Sequence, residues 1–189
     1  GLLLRMHGLG TESLWLDEYF TYDIVYVRDA SAVWARMQDD LQPPLYFVLT
    51  HFSIRAFGVS EFALRLPSGL FGVLTLPLVF LIAQRLYSHR EGLIAAAFTA
   101  ILLQPIAYSQ EARNYAMLVG LTLAATACWL PLMEALFEHK RLRRGLALGY
   151  VALAAAACYT HYFGLLLIGC QGAFALLYAL LRKEKLFAA

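Results

Sequence analysis

Four stretches of this chain run far with almost no charge: about 62–86, 92–108, 115–137 and 146–181. A helix needs about 20 apolar residues to cross a bilayer, and runs of this kind leave little choice of fold. The last stretch is long enough for two short or tilted helices. It is interrupted by Tyr159, Thr160, His161 and Tyr162, a polar and aromatic group suited to the water interface. Five spans are therefore expected, at about 62–86, 92–108, 115–137, 146–160 and 162–181. The fold class is an all-α polytopic membrane protein. Composition agrees: 61% of the residues are hydrophobic and 15% charged, against about 45–50% and about 25% in a soluble domain.

The chain reads as one transmembrane domain over 1–189, cut from a longer protein at both ends. Gly1, Leu2, Leu3 and Leu4 look like the tail of an earlier apolar helix, and a further apolar run restarts at Leu186 and Phe187. The net charge of +2 is too small to point to nucleic acid; what matters is where the cations lie. Arg85, His89 and Arg90 fall in one loop, Lys140, Arg141, Arg143 and Arg144 in another, and Arg182, Lys183 and Lys185 at the C-terminal end. These alternate loops are expected on the cytoplasmic side. The long first loop, about 8–61, and the turns near 110–113 and 160–163 are then external.

Within that first loop, 17–27 and 31–39 read as short helices. Residues 44–57 are apolar but too few to span, and Leu45, Val48, Leu49, Phe52 and Ala56 share one helical face. An amphipathic helix lying in the outer interface is expected, with Pro44 in its first turn. Were it to span instead, Asp17 and Glu111 would be on opposite sides of the membrane.

The candidates for chemistry cluster at the external ends. Asp17 and Glu18 are adjacent carboxylates at the exit of a membrane segment. They either complement a helix N-terminus or serve as a base toward a hydroxyl. Glu111 and Arg113 lie at the other external turn. Ser109 could cap the next helix with Glu111 in its first turn. Alternatively Glu111 faces Asp17 across an outer cavity, where Arg113 meets an anion with its paired donors. Gln42, before Pro43 and Pro44, projects toward the same cavity. His161 is either a wet interfacial histidine or a partner to a hydroxyl or metal. Arg65 either snorkels to the interface or contacts phosphate. Cys128, Cys158 and Cys170 lie in apolar runs with no metal-ligand spacing.

Taken in order, the motifs Leu14-Trp15-Leu16-Asp17-Glu18, Gln42-Pro43-Pro44-Leu45-Tyr46, the run from Phe57 to Arg65, the run from Tyr108 to Tyr115, and Tyr159-Thr160-His161-Tyr162 resemble the N-terminal half of glycosyltransferase family 39. That group has the GT-C fold and includes dolichyl-phosphate-mannose protein mannosyltransferases and bacterial lipid A aminoarabinose transferases. The resemblance implies inverting transfer of a sugar from a polyprenyl-phosphate donor to a hydroxyl of a glycan, lipid or protein. The reaction would run on the periplasmic or lumenal face of a multi-pass protein, in the cell membrane for an envelope enzyme. It implies Asp17 as the catalytic carboxylate, Glu18 as its neighbour and Glu111 at a second acidic position. Arg113, Arg65, Gln42, Tyr115, His161 and Tyr162 are the substrate-binding candidates. Many relatives carry His before the Pro-Pro pair, where this chain has Gln42. An amide ligates transition metals less well than imidazole, so a divalent metal is an open alternative rather than an implied cofactor. The rival from another class is a transporter or flippase for a lipid-linked or small polar substrate, which would place ionisable residues near the bilayer midplane. A purely structural subunit is a third reading, in which Asp17 and Glu111 are both dispensable.

Overall fold

The computed structural model describes residues 1–38, 42–138 and 140–187, with the side chains of Gln38 and of 182–187 left aside. Asp39, Asp40 and Leu41, the end of one expected helix and the start of the Pro-Pro turn, lie outside the described residues, as do the side chains of the C-terminal cations.

The described residues form helices and no strand. In chain order these are α1 (Leu2–Met6), α2 (Leu16–Val25), α3 (Ala30–Gln38), α4 (Leu45–Phe57), α5 (Glu61–Leu86), α6 (His89–Ile101), α7 (Leu103–Ser109), α8 (Tyr115–Phe137), α9 (Arg144–Cys158) and α10 (Phe163–Phe187). Helices α5 and α8 and the segment Phe163–Leu181 of α10 are long and apolar enough to cross a membrane. Many of their large apolar side chains point outward, Leu70, Leu74, Leu165 and Leu166 among them. That surface suits a hydrocarbon solvent and would be a liability in water. The chain is a polytopic helical membrane protein. Helix α9 has 15 residues; at 1.5 Å per residue it is shorter than the hydrocarbon layer.

Antiparallel succession of α5, α6, α8, α9 and α10 gathers the start of α5, the 109–115 turn and the 158–163 turn at one end of the bundle. At the opposite end Arg85 donates to both carboxylate oxygens of Glu134. Helices α2, α3 and α4 pack over the first end, and the best-buried apolar cluster lies there. In it Val25, Val33 and Phe47 meet Leu64 and Met117.

Three local departures from the sequence reading have clear causes. The segment expected to span as one helix over 92–108 bends by 61° between α6 and α7. Leu102 is extended there (φ −62°, ψ 129°). Pro105, whose ring would clash with the Ile101 carbonyl in a continuous helix, is accommodated in the first turn of α7. Ser109 does not cap the following helix. It ends α7 with its hydroxyl on the Pro105 carbonyl, and Asn114 takes the N-cap position of α8. Helix α4 buries Tyr46, Phe47, Thr50, Ser53 and Ile54, whereas Phe52, from the expected apolar face, is exposed. Leu45, Val48 and Leu49 of that face pack half-buried against the core cluster, so the buried side of α4 is turned from the expected stripe rather than opposite to it.

Helix α5 tolerates two internal prolines. Pro67 cannot donate to the carbonyl four residues back, that of Ala63. The Ser53 hydroxyl of α4 donates to that carbonyl instead, at 2.6 Å. Between α5 and α7, Gly72 allows close approach: a Cβ there would lie 1.9 Å from the Ser109 Oγ.

Candidate active site

Helix α2 starts where a capping arrangement can form. The Trp15 N–H donates to Glu18 Oε2 at 3.4 Å, so Glu18 turns inward. Successive residues on a helix point about 100° apart, and Asp17 therefore faces elsewhere. The adjacent carboxylates, indistinguishable in sequence, enter different environments.

Glu18 is 1% exposed and its two oxygens are fully engaged. Arg65 donates from Nε to Oε1 at 2.7 Å and from Nη2 to Oε2 at 2.6 Å. The Ala112 N–H, from the 109–114 turn, donates to Oε1 at 2.7 Å. Burial alone would raise this carboxyl's pKa. The Arg65 guanidinium and the Ala112 N–H outweigh burial and hold it below the usual carboxylate range. Arg65 uses its remaining donors on the carbonyls of Leu9, Glu12 and Ser13. All five of its N–H groups are thereby occupied by the protein. The expectation that Arg65 snorkels or reaches out to phosphate gives way to a buried clamp joining α5, the 9–13 segment, α2 and the 109–114 turn.

Asp17 lines an open cavity of about 500 Å³ together with Leu16, Tyr19, Phe20, Asp23, Gln42 and Arg113. Arg113 is 9% exposed. It donates from Nη1 to the Asp17 main-chain oxygen at 3.3 Å and lies 5.8 Å from the Tyr115 ring centroid. Its Nε is buried with no hydrogen-bond partner, a costly state for a guanidinium unless a ligand completes it.

Glu111 does not face Asp17 across one shared cavity. It lines a neighbouring cavity of about 740 Å³ with Glu12, Trp15, Glu18 and Arg65. Burial first, then the charges of Glu18 and Asp17, raise the Glu111 carboxyl pKa, and Arg113 opposes them only in part.

The turn that carries these groups is pinned by side chains that sequence reading passed over. The Ser68 hydroxyl donates to the Arg113 carbonyl and accepts from the buried Tyr46 hydroxyl. Asn114 Nδ2 donates to Gln42 Oε1 and to the Thr160 carbonyl, each at 3.0 Å. Gln42 is thus brought beside both outer turns. Tyr115 and His161 form an aromatic group with Tyr108, Tyr162 and Phe163, next to Arg113 but outside the linings of both polar cavities. The Phe163 N–H donates to His161 Nδ1, and burial, aided by the Arg113 charge, lowers the imidazole pKa. Among the described residues no three His, Cys, Asp or Glu side chains are gathered to hold a metal ion.

A family profile described as dolichyl-phosphate-mannose-protein mannosyltransferase matches residues 41–188. The chain belongs to that family. It is a membrane glycosyltransferase of the mannosyltransferase type. No curated protein and no solved structure matches the chain. The matched span of this mannosyltransferase family includes Arg65, Glu111, Arg113 and His161. It begins after α2, so Asp17 and Glu18 join the family segment through hydrogen bonds rather than through the match.

Proposed function

We propose that the protein transfers a sugar from a polyprenyl-phosphate donor to a hydroxyl acceptor, with inversion, on the external face of the membrane. The observation that carries this reading is the pairing of Asp17 with Arg113 in one open cavity, the second with a buried, unpartnered Nε. A glycosyl phosphate needs both functions close together. The acceptor oxygen attacks the anomeric carbon and its proton passes to the Asp17 carboxylate. The bond from the anomeric carbon to the phosphate oxygen breaks, and the electron pair leaves with polyprenyl phosphate. Arg113 stabilises the charge that gathers on that phosphate. Tyr19 and Phe20 offer apolar faces to the sugar beside the polar groups of Gln42 and Asp23.

Under this reading Glu18 and Arg65 are positioning residues and do not touch substrate. Glu111, in the adjacent cavity, meets the acceptor. Tyr115 backs the Arg113 guanidinium, and His161 and Tyr162 form the rim toward the lipid. The candidate acids Asp17, Glu18 and Glu111 sit at one end of the bundle and no acid lies in α5 between Phe62 and Leu86, which favours surface chemistry over a route through the midplane.

Membranes carrying the full-length protein test the proposal. Polyprenyl-phosphate mannose, labelled in the sugar, is expected to be converted to polyprenyl phosphate. The label is expected on a hydroxyl acceptor, and the anomeric configuration, read by NMR, inverted. Vectorial movement of the lipid-linked sugar without loss of its glycosyl phosphate bond would replace this reading with the transporter one.

A further inference from the structure

Arg5 is fully buried and sits in α1 among Leu2, Leu3, Leu4 and Met6. A charge in such a run is costly and calls for a reason. No carboxylate pairs with it among the described ion pairs. Its partners are carbonyls: Nη2 donates to Thr99 O at 2.7 Å, and Nη1 to Ala100 O at 3.3 Å and Gly1 O at 3.4 Å. Thr99 and Ala100 lie in the last turn of α6. In a continuous helix their carbonyls would accept from the N–H groups of residues 103 and 104. The break at Leu102 removes those donors, in a segment where water is scarce. Arg5 supplies two donors in fixed geometry and a positive charge at a helix C-terminus, where the dipole favours it.

The far end of α7 is tied to the same short helix. Gln110 Nε2 donates to the carbonyls of Leu4 and His7, at 2.9 and 3.0 Å. The α1 segment thus holds the end of α6 on one side of the break and the C-cap of α7 on the other, and α7 leads directly into Glu111, Ala112 and Arg113. We infer that Arg5 is a positioning residue: by sealing the carbonyls opened at the α6–α7 break, it fixes the angle of α7. Through that angle it sets the placement of Arg113 and of the Ala112 N–H against α2. Neither Arg5 nor the break touches the Asp17 cavity. The kinetic consequence rests on the glycosyl-transfer reading; the stability consequence stands without it.

The test is a double-mutant cycle in the full-length protein, measuring Tm together with kcat and donor KM for polyprenyl-phosphate mannose. Arg5→Gln leaves the opened carbonyls incompletely paired. It should lower Tm and reduce kcat by about a hundredfold, the scale expected for a misplaced reacting group, with KM changed much less. Arg5→Lys, which reaches one carbonyl at a time, should fall between. Pro105→Ala lets α6 continue through the break and pairs those carbonyls within the helix. In the R5Q background it should restore Tm while kcat stays low, because α7 is no longer bent. Recovery of kcat in step with Tm would reduce Arg5 to a folding role. Absence of any Tm recovery would show that Arg5 does not serve the break, and a parental kcat in R5Q would remove the inference. If the parent protein transfers no sugar, the Tm cycle still decides whether Arg5 and Pro105 are coupled.

Discussion

Glu18 and Glu111 lie close enough to feel each other's charge, yet they titrate in opposite senses. Glu18 is held ionised by Arg65, and its contribution to stability is complete above the ordinary carboxylate pKa. It is lost as pH falls through the lower folded value. Glu111 is raised, so the folded state holds its proton more tightly than the unfolded chain does. Its contribution is present below the ordinary pKa and lost as pH rises through the folded value. Glu111→Gln should therefore gain stability relative to the parent as pH rises from about 4 to about 7. Tm measured across that range checks the sign; a constant or shrinking difference would contradict it. Glu18→Gln leaves Arg65 buried with an incomplete partner. Breaking one side of a buried pair costs about 3–5 kcal/mol, a Tm loss of roughly 6–20 °C for a domain of this size. An unchanged Tm in thermal unfolding would show that the clamp is dispensable.

Which of the two adjacent acids is free could not be read from the sequence, because both satisfy the same motif and both suit a helix start. The decision falls to partners far along the chain: Arg65, 47 residues away, and Ala112, 94 away. The same distance hides the role of Arg65, whose position near a span end looks like snorkelling until the three carbonyls around it are seen. Arg5 did carry a legible signal, a lone charge in an apolar run, although its partners on α6 did not.

At the scale of elements, proline placement organises the bundle. Pro67 in α5 leaves the Ala63 carbonyl open, and Ser53 of α4 closes it from outside the helix. With the Tyr46–Ser68 bond, it ties α4 to the long helix α5. Ser53→Ala strands a buried acceptor and should cost about 1–3 kcal/mol, seen as a lower Tm; parental stability in that variant would place the anchor elsewhere. The start of α5 has a local signal, Ser60 capping the helix with Glu61 in its first turn. The break at Leu102 had its signal in Gln104 and Pro105, a proline inside a helical pattern, which an apolar count over 92–108 does not register. The buried face of α4 was also hidden. Its polar members, Tyr46, Thr50 and Ser53, bury because each finds a hydrogen bond, which periodicity of apolar residues does not register.

For the whole molecule, the order of long and short helices brings the first loop, the 109–115 turn and the 158–163 turn to one end. The placing of Lys and Arg in alternate loops pointed to that gathering. What the alternation could not supply was the division of the acids between two cavities, one holding Asp17 with Arg113 and the other holding Glu111 with the Glu18–Arg65 clamp. Under the proposed reading, the division gives the two acids separate tasks, a base beside the arginine that would bind phosphate and a carboxyl toward the acceptor. It follows that Asp17, which holds nothing else together through its side chain among the described hydrogen bonds, is separable from stability. The decisive measurement is sugar transfer by Asp17→Asn in the full-length protein, alongside donor binding and Tm. Loss of a general base should lower turnover by about 10²–10⁴-fold, with donor binding and Tm close to the parent. Transfer at the parental rate by that variant would contradict the account.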